Sequence, residues 1–281
     1  MNGKSKLRLF GVAGKAFTYA FLLFSMFLAL VPFAWMVSSS LKTETTMFVF
    51  PIQWIPEEFH WDNYQKAWTM MNFMVPFTNS LKVSGIITVG QVLTSITAAY
   101  AFAKISFRGR DKVFLGYLAT MMVPFQVVMI PQFILFRQAG LVNTHLALIL
   151  PGMFSAFGVF MLRQFFLSLP DELLEAARID GCSEVRILFQ IVVPLSKAAI
   201  ASLSIFTFRW QWNDYLAPLI YLNDKSMLTL PVALSTFRME NLTLYTLIMA
   251  ASVISLIPVI VVYLFTQKYL IEGIAMAGLK G

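Results

Sequence analysis

Long apolar stretches dominate the pattern of hydrophobic and polar positions along this chain. Six of them, at residues 17–37, 83–103, 113–136, 146–162, 198–221 and 244–267, are close to the roughly 20 residues that a membrane-spanning helix needs. Apolar and polar residues do not alternate within them over about ten positions, as they would in the strands of a membrane barrel. The pattern therefore predicts an all-α integral membrane protein with six transmembrane helices.

The distribution of Lys and Arg predicts the orientation of these helices. An even number of spans places both termini on one side of the membrane. Fourteen of the 21 Lys and Arg residues fall on that side and five on the other. Because positive charge accumulates in cytoplasmic loops, we expect both termini in the cytoplasm and the loops at 38–76 and 222–243 on the outer face.

The composition agrees with a membrane protein and excludes other classes. Hydrophobic residues make up 58% of the 281 residues and charged residues 12%, against about 25% charged residues in a soluble domain. With one Cys and two His, a disulfide framework is excluded and a His-built metal site is not expected. We interpret the net charge of +7 as loop charge and expect no nucleic-acid partner.

The outer loop at 38–76 is rich in tryptophan, with Trp54, Trp61 and Trp68. Indole rings favour the headgroup level of a bilayer, which supports an interfacial belt. A docking surface for an external partner is the other interpretation, and the loop sequence leaves both open.

The segment between the fourth and fifth apolar stretches is amphipathic and rich in charge. Asp171 and Glu172 are typical of the first turn of a helix, and Gly181 is typical of a helix end. A second short run at 184–193 ends at Pro194. The pattern predicts two short helices bent at a glycine along the cytoplasmic membrane face. They either connect two spans or fit a groove on a cytoplasmic partner.

A known motif coincides with this segment. The residues Glu175-Ala176-Ala177, Gly181, Ile191 and Pro194 occur at the spacing E-A-A-x3-G-x9-I-x-L-P, with Val193 in the place of Leu. This spacing resembles the EAA loop of bacterial ATP-binding-cassette (ABC) importer permeases. Further segments are similar to carbohydrate-uptake permeases of the MalG type: Arg209-Trp210-x-Trp212-Asn213, Leu230-Pro231-Val232 and Gln267-Lys268-Tyr269-Leu270. The resemblance covers nearly the whole chain.

The resemblance implies a transmembrane permease subunit of an ABC importer. Such a subunit moves a sugar or related carbohydrate into the cytoplasm by ATP-driven alternating access, and it is not an enzyme. It implies a MetI-like permease core at 73–268, preceded by an N-terminus, first span and outer loop at 1–72 and followed by a cytoplasmic tail at 269–281. The implied location is the bacterial cytoplasmic membrane, where the chain is multi-pass and contacts lipid.

Several partners follow from the same resemblance. They are a longer MalF-like permease subunit, a homodimeric ABC ATPase that holds ATP and Mg, and an extracytoplasmic sugar-binding protein. The implied ATPase-coupling residues are Glu175, Ala176, Ala177, Asp180, Gly181, Ile191 and Pro194. The chain itself is expected to hold no cofactor, and it contains no G-x-x-x-x-G-K-[ST] phosphate loop.

The fifth apolar stretch holds candidate substrate-path residues, namely Arg209, Trp210, Asn213 and Asp214. Residues four apart share a helix face, and ionisable groups inside a membrane usually face a cavity or a partner. Trp210 and Trp212 could stack on sugar rings. The alternative is structural, with Asp214 paired with Arg209 or anchoring the helix near the interface. A different function also stays open, an ion-coupled secondary carrier for a small polar solute, for which Asp214 is the only intramembrane carboxylate.

Overall fold

A computed structural model describes residues 3–70, 72–240 and 244–278, whose regular secondary structure is helical, with no strand. The prediction of an all-α chain is therefore confirmed for these residues, and the last three residues of the predicted tail lie outside them. The helices are α1 (Gly3–Ser40), α2 (Asp62–Met70), α3 (Met74–Lys104), α4 (Arg110–Ala119), α5 (Phe125–Gln138), α6 (Leu146–Gly152), α7 (Ala156–Leu167), α8 (Asp171–Ile179), α9 (Glu184–Ile187), α10 (Val193–Leu195), α11 (Lys197–Trp212), α12 (Leu216–Tyr221), α13 (Leu230–Glu240) and α14 (Tyr245–Gly278). A 3₁₀ turn (Thr120–Met122) follows α4, and a π-helical turn (Leu188–Val192) joins α9 to α10.

The chain divides into two compact units. One contains the residues up to Met71 and Phe237–Ile254, and the other contains Asn72–Thr236 and the residues from Ser255 onward. The predicted division at 1–72, 73–268 and 269–281 stays a prediction. The outer loops predicted at 38–76 and 222–243 contain α2 and α13, which the sequence analysis did not predict as helices.

Four helical stretches are long and apolar enough to cross a membrane. They are Phe17–Ser40, Met74–Lys104, Leu146–Leu167 and Tyr245–Lys268, and they correspond to the first, second, fourth and sixth predicted spans. Two bent helix pairs raise the number to six if each pair forms one span. Six spans therefore stay a prediction.

The third predicted span is bent by 95° between the helix ending at Met122 and α5. Pro124 explains the bend, because the ring of a proline disfavours helical backbone at the residue before it. Val123 accordingly has an extended conformation, with φ −86° and ψ 111°. The expectation of one continuous helix over 113–136 was wrong.

The fifth predicted span is also interrupted, because α11 ends at Trp212 and α12 begins at Leu216. The side-chain amide of Asn213 donates to the carbonyl of Arg209 at 2.8 Å and so closes the end of α11. The spacing had predicted that Asn213 and Asp214 share a helix face with Arg209 and Trp210. Because α11 ends at Trp212, they do not.

The second short run of the amphipathic segment extends further than expected. Instead of ending before Pro194, helical structure continues to Leu195, and an 82° bend at Ser196 leads into α11. Proline cannot donate the backbone hydrogen bond of a regular helix. The π-helical turn just before α10 accommodates this missing donor within a continuous helical stretch.

Helix α3 is the central element of the larger unit and packs against α7 and α11. Its buried positions recur every three to four residues and are often small, as at Ser84, Gly90, Ser95 and Ala99. Small residues let membrane helices approach closely. A Cβ placed on Gly158 of α7 would lie 2.5 Å from Oγ of Ser95, so this crossing depends on glycine.

Candidate functional site

The amphipathic segment contains a sharply bent helix end. Gly181 follows α8 with φ +79°, a left-handed conformation that glycine adopts at little cost. Its N–H donates to the carbonyl of Arg178 at 3.0 Å, and the N–H of Cys182 donates to the carbonyl of Ala177 at 2.9 Å. These two bonds form a Schellman motif, which satisfies carbonyls at a helix end. The predicted bend at Gly181 is therefore confirmed.

Ion pairs hold α8 at both of its ends. At its start, Nζ of Lys104 lies 2.6 Å from the Asp171 carboxylate and donates to the carbonyl of Leu169 at 2.7 Å. The hydrogen bond from Lys104 lowers the pKa of Asp171. In the last turn of α8, Nε of Arg178 lies 2.7 Å from Oε1 of Glu184, the first residue of α9. The hydrogen bond to Glu184 raises the pKa of the Arg178 guanidinium.

A buried tyrosine connects this second ion pair to α3. The Tyr100 hydroxyl donates to Oε2 of Glu184 at 2.5 Å, and Tyr100 is only 3% exposed. Arg178, Glu184 and Tyr100 therefore form a chain of contacts from α8 through α9 to the central helix. The geometry ties the bent segment to the helix core of the same unit.

The motif residues are distributed over two faces of this segment. Leu174 and Ala177 are buried in the core of the chain together with Ile187. The exposed or partly exposed motif positions are Glu175, Ala176, Asp180, Gly181, Ile191 and Pro194. The outer face also carries Ile179, which is 86% exposed, and Val185, which is 67% exposed. Ala177 thus packs inward, while Ile179 and Val185 give the outer face an apolar character that motif spacing did not indicate.

A second candidate site is a pocket of about 840 Å³ in the larger unit. It lies where three helix interruptions meet, at residues 123–124, 153–155 and 213–215. Phe125 and Gln126 line it beside the first interruption, Ser155 beside the second and Asp214 beside the third. Irregular backbone at membrane depth is tolerated where it is buried in protein or lines a cavity.

The pocket brings together three of the four residues that the sequence singled out. Arg209, Trp210 and Asp214 line it, and Asn213 joins them around a smaller adjoining cavity. Trp210 is 70% exposed, so its ring is available to the pocket. The backbone amides of Leu216 and Ala217 interact with the Asp214 carboxylate at the start of α12.

Trp212 has a different role from the one its sequence position suggested. It is 3% exposed, stacks on Phe208 and donates from Nε1 to the carbonyl of Ser255 at 3.1 Å. Its ring is therefore part of the packing and is not available to a ligand. Of the two tryptophans considered for stacking, only Trp210 faces the pocket.

Other polar residues of the pocket escaped sequence reasoning. They come from α3, α5, α11 and α12 and include Gln91, Gln126, Gln132, Thr207 and Tyr221. The Gln91 side chain is buried and donates to the Thr207 hydroxyl at 2.9 Å, which joins α3 to α11 at the pocket wall. In the sequence, a glutamine such as Gln91 within an apolar stretch was the signal that could have indicated these pocket residues. Within the described residues, no cluster of His, Cys, Asp and Glu could hold a metal ion.

Long apolar helices, helix interruptions that meet at a largely apolar pocket and an anchored amphipathic segment are the features of a multi-span membrane transport protein. The chain belongs to the family of binding-protein-dependent transport system inner membrane components, whose model matches residues 91–275. It is therefore a multi-pass transport subunit of the cytoplasmic membrane, and not an enzyme.

Named relatives match nearly the full chain. The arabinooligosaccharides transport system permease protein AraQ of Halalkalibacterium halodurans is 36% identical, over 92% of this chain and 94% of the relative. The lactose transport system permease protein LacG of Rhizobium radiobacter is 32% identical, over 91% of this chain and 93% of the relative. A crystal structure of a bacterial ABC transporter involved in the import of alginate, an acidic polysaccharide, superposes with a TM-score of 0.80. It is 26% identical and covers 96% of this chain and 99% of its own. The MetI-like permease fold expected from the sequence is confirmed.

Proposed function

We propose that this chain is one of two permease subunits of an ATP-driven importer that moves a sugar or related carbohydrate into the cytoplasm. The similarity to an arabinooligosaccharide permease, a lactose permease and an alginate importer supports the carbohydrate class. The proposed partners are a MalF-like second permease subunit, a homodimeric ATPase that carries ATP and Mg, and an extracytoplasmic binding protein. In the proposed topology six spans cross the membrane, and both termini are cytoplasmic.

The observation that carries the proposal is the bent α8–α9 segment. We assign it as the element that couples this subunit to the ATPase, with Glu175, Ala176, Asp180 and Gly181 on its exposed face. The apolar side chains of Ile179 and Val185 on that face are suited to burial against a partner. The core-facing Ala177, and Ile191 and Pro194 in the following helical stretch, hold the shape of the element.

The mechanism is alternating access driven from outside the chain. ATP binding closes the ATPase dimer, and the coupling segments move with it. The anchors of α8 pass this movement to α3 through Lys104 and Tyr100. The pathway then exchanges between its inward-open and outward-open states, and hydrolysis resets it.

The pocket at the three helix interruptions is the proposed substrate path. Its volume is within the range of about 300–1,000 Å³ typical of small-molecule sites. The Trp210 ring can stack on the apolar face of a sugar, and the amide groups of Gln126 and Gln132 can exchange hydrogen bonds with hydroxyls. Arg209, Asn213 and Asp214 supply the remaining polar contacts in the proposed path.

Purification of the tagged chain from its native membrane in mild detergent tests the assembly. We expect a phosphate-loop ATPase and a second multispanning subunit to co-purify. Ile179→Glu should release the ATPase and leave the second permease bound, whereas the matched variant Ile179→Leu should retain both. A homo-oligomer without ATPase, even after cross-linking, would contradict the proposal. Uptake that continues after ATP depletion would point to the ion-coupled carrier.

A further inference from the structure

The segment after α1 folds back onto the end of that helix. The Asn63 side-chain amide donates to the carbonyls of Ser40 at 3.0 Å and of Lys42 at 2.8 Å. The hydroxyls of Ser40 and Tyr64 lie 2.7 Å apart. Residues 41–64 are therefore held against the end of α1 by hydrogen bonds, and we call this segment the foot of α1.

A buried lysine fixes the middle of this foot. Lys42 is 1% exposed, and its Nζ lies 4.4 Å from the centroid of the Trp35 ring. The same ammonium donates a hydrogen bond to the carbonyl of Gln53. Next to Gln53, the Trp54 ring packs edge-on against Trp35, with the centroids 5.7 Å apart.

This packing determines the depth of Trp54 relative to the membrane. Trp35 lies within the apolar stretch Phe17–Ser40, five residues before its end. Five residues correspond to about 7.5 Å along a helix axis at about 1.5 Å per residue. Trp54 touches Trp35, and so the foot reaches back alongside the membrane-spanning part of α1.

The outer surface of the foot at this level is apolar. Phe50 is 86% exposed, Ile52 47%, Trp54 48% and Ile55 76%, and we call these four residues the Trp54 patch. The nearest carboxylates in the sequence, Glu57 and Glu58, follow the patch after Pro56 and are exposed. An aromatic and aliphatic patch bordered by charge has the composition of a surface at the headgroup level.

We propose that the Trp54 patch inserts into the lipid headgroup and upper acyl region beside α1. The patch is continuous with the exposed apolar surface of α1, and this continuity supports lipid as the occupant. The apolar side chains of α1 from Phe17 to Leu30 are exposed within their unit, and the chain is a membrane component. The foot is thereby an interfacial anchor that fixes the depth of the first helix. The alternative is a protein docked on the patch, and the experiment distinguishes it from lipid.

Fluorescence quenching in the complete transporter, reconstituted in proteoliposomes, tests the anchor. In a Cys182→Ser background, Ile55→Cys and Glu58→Cys each carry an environment-sensitive nitrobenzoxadiazole label. We expect doxyl groups near the lipid headgroup to quench the label at position 55, and aqueous iodide to quench it at least threefold less than at position 58. Iodide quenching that is equal at the two positions would overturn the proposal. A position 55 that is shielded from both quenchers would also overturn it and would identify a protein occupant.

Unlabelled protein gives a second measurement if labelling disturbs the foot. The chain has six tryptophans, and Trp54→Phe should reduce the part of its fluorescence that brominated lipids quench. Trp212→Phe, outside the foot and only 3% exposed, is the comparison variant and should not reduce this part. An unchanged quenched fraction in Trp54→Phe would count against insertion. These readouts do not depend on transport, so they can fail while the importer assignment stands.

Discussion

The Lys104 ammonium at the end of α3 lies 2.6 Å from the Asp171 carboxylate at the start of α8, although its side chain is only 4% exposed. A buried charge is costly unless it is paired, and Asp171 and the carbonyl of Leu169 supply that compensation. The pair thereby joins the exposed helix of the proposed coupling element to the helix at the centre of the larger unit.

This pair predicts a pH dependence. Lys104 lowers the pKa of Asp171, so the ionised carboxylate stabilises the folded state. The stabilisation is fully present above the unfolded pKa of about 3.9 and is lost as the pH falls through the lower, folded pKa. Thermal unfolding of the purified subunit from pH 7 to pH 3 should show Asp171→Asn less stable than the wild type at neutral pH. The two should converge in acid.

Glu172, on the same helix and exposed, supplies the control for this experiment. Glu172→Gln removes a carboxylate from the first turn of α8 but leaves the pair with Lys104 intact. A loss of stability equal to that of Asp171→Asn would show that general first-turn charge matters, and not the pair.

The contact between Tyr100 and Glu184 predicts a loss of coupling. Tyr100→Phe removes the hydroxyl, and a net loss of about 0.5–1.5 kcal/mol is typical of a removed hydrogen bond. In the reconstituted importer we expect several-fold less sugar uptake for each ATP hydrolysed, with ATP hydrolysis itself retained. Tyr263→Phe, at a half-exposed side chain, should change neither. Equal coupling in both variants would contradict a transmitting role for this contact.

The sequence predicted membrane helices, the amphipathic segment and its bend because each depends on local chemistry. Runs of apolar residues and the glycine at position 181 need no tertiary information. The pocket depends on tertiary packing, since Gln91, Gln132 and Tyr221 meet only after α3, α5 and α12 have packed. Trp212 was misjudged for the same reason, because its ring contact with Phe77 of α3 and its hydrogen bond to Ser255 of α14 form only after these helices have packed.

Trp210 and Trp212 therefore predict opposite phenotypes. Trp210→Ala removes an exposed ring from the pocket, so we expect normal folding and a several-fold decrease in sugar uptake. Trp212→Ala removes a buried ring, which typically costs about 3–5 kcal/mol, and should lower the thermal unfolding temperature and the amount in the membrane. Uptake normalised to protein amount separates the two effects. Unimpaired normalised uptake by Trp210→Ala would remove this ring from the substrate path.

Two substitutions at Gly181 separate the effect of backbone strain from the effect of a lost partner contact. A Cβ added there meets no atom of this chain within 4 Å, but its φ of +79° disfavours most side chains. Asn and Asp tolerate this conformation better than β-branched residues do. We expect Gly181→Asp to abolish uptake with the subunit still in the membrane, through the ATPase contact. Gly181→Val should in addition increase proteolysis near the bend, and normal uptake by Gly181→Asp would contradict the coupling assignment.

The crossing of α3 and α7 at Ser95 and Gly158 predicts a clash that can be rescued. In Gly158→Ala the new Cβ would lie 2.5 Å from the Ser95 Oγ and 3.3 Å from Leu203. Overpacking of this kind costs about 1–3 kcal/mol, measurable by thermal unfolding. Gly116→Ala is the matched control, since it meets nothing within 4 Å and should be neutral or slightly stabilising.

Ser95→Ala should rescue Gly158→Ala because it removes the atom with which the new methyl group clashes. Within the described residues the buried Ser95 hydroxyl has no hydrogen-bond partner, so its removal alone should cost little. The double variant should therefore recover most of the stability lost in Gly158→Ala. If the losses in the double variant were instead additive, the Ser95 hydroxyl would not be the cause of the clash. The close approach of the α3 and α7 backbones would then itself require glycine at position 158.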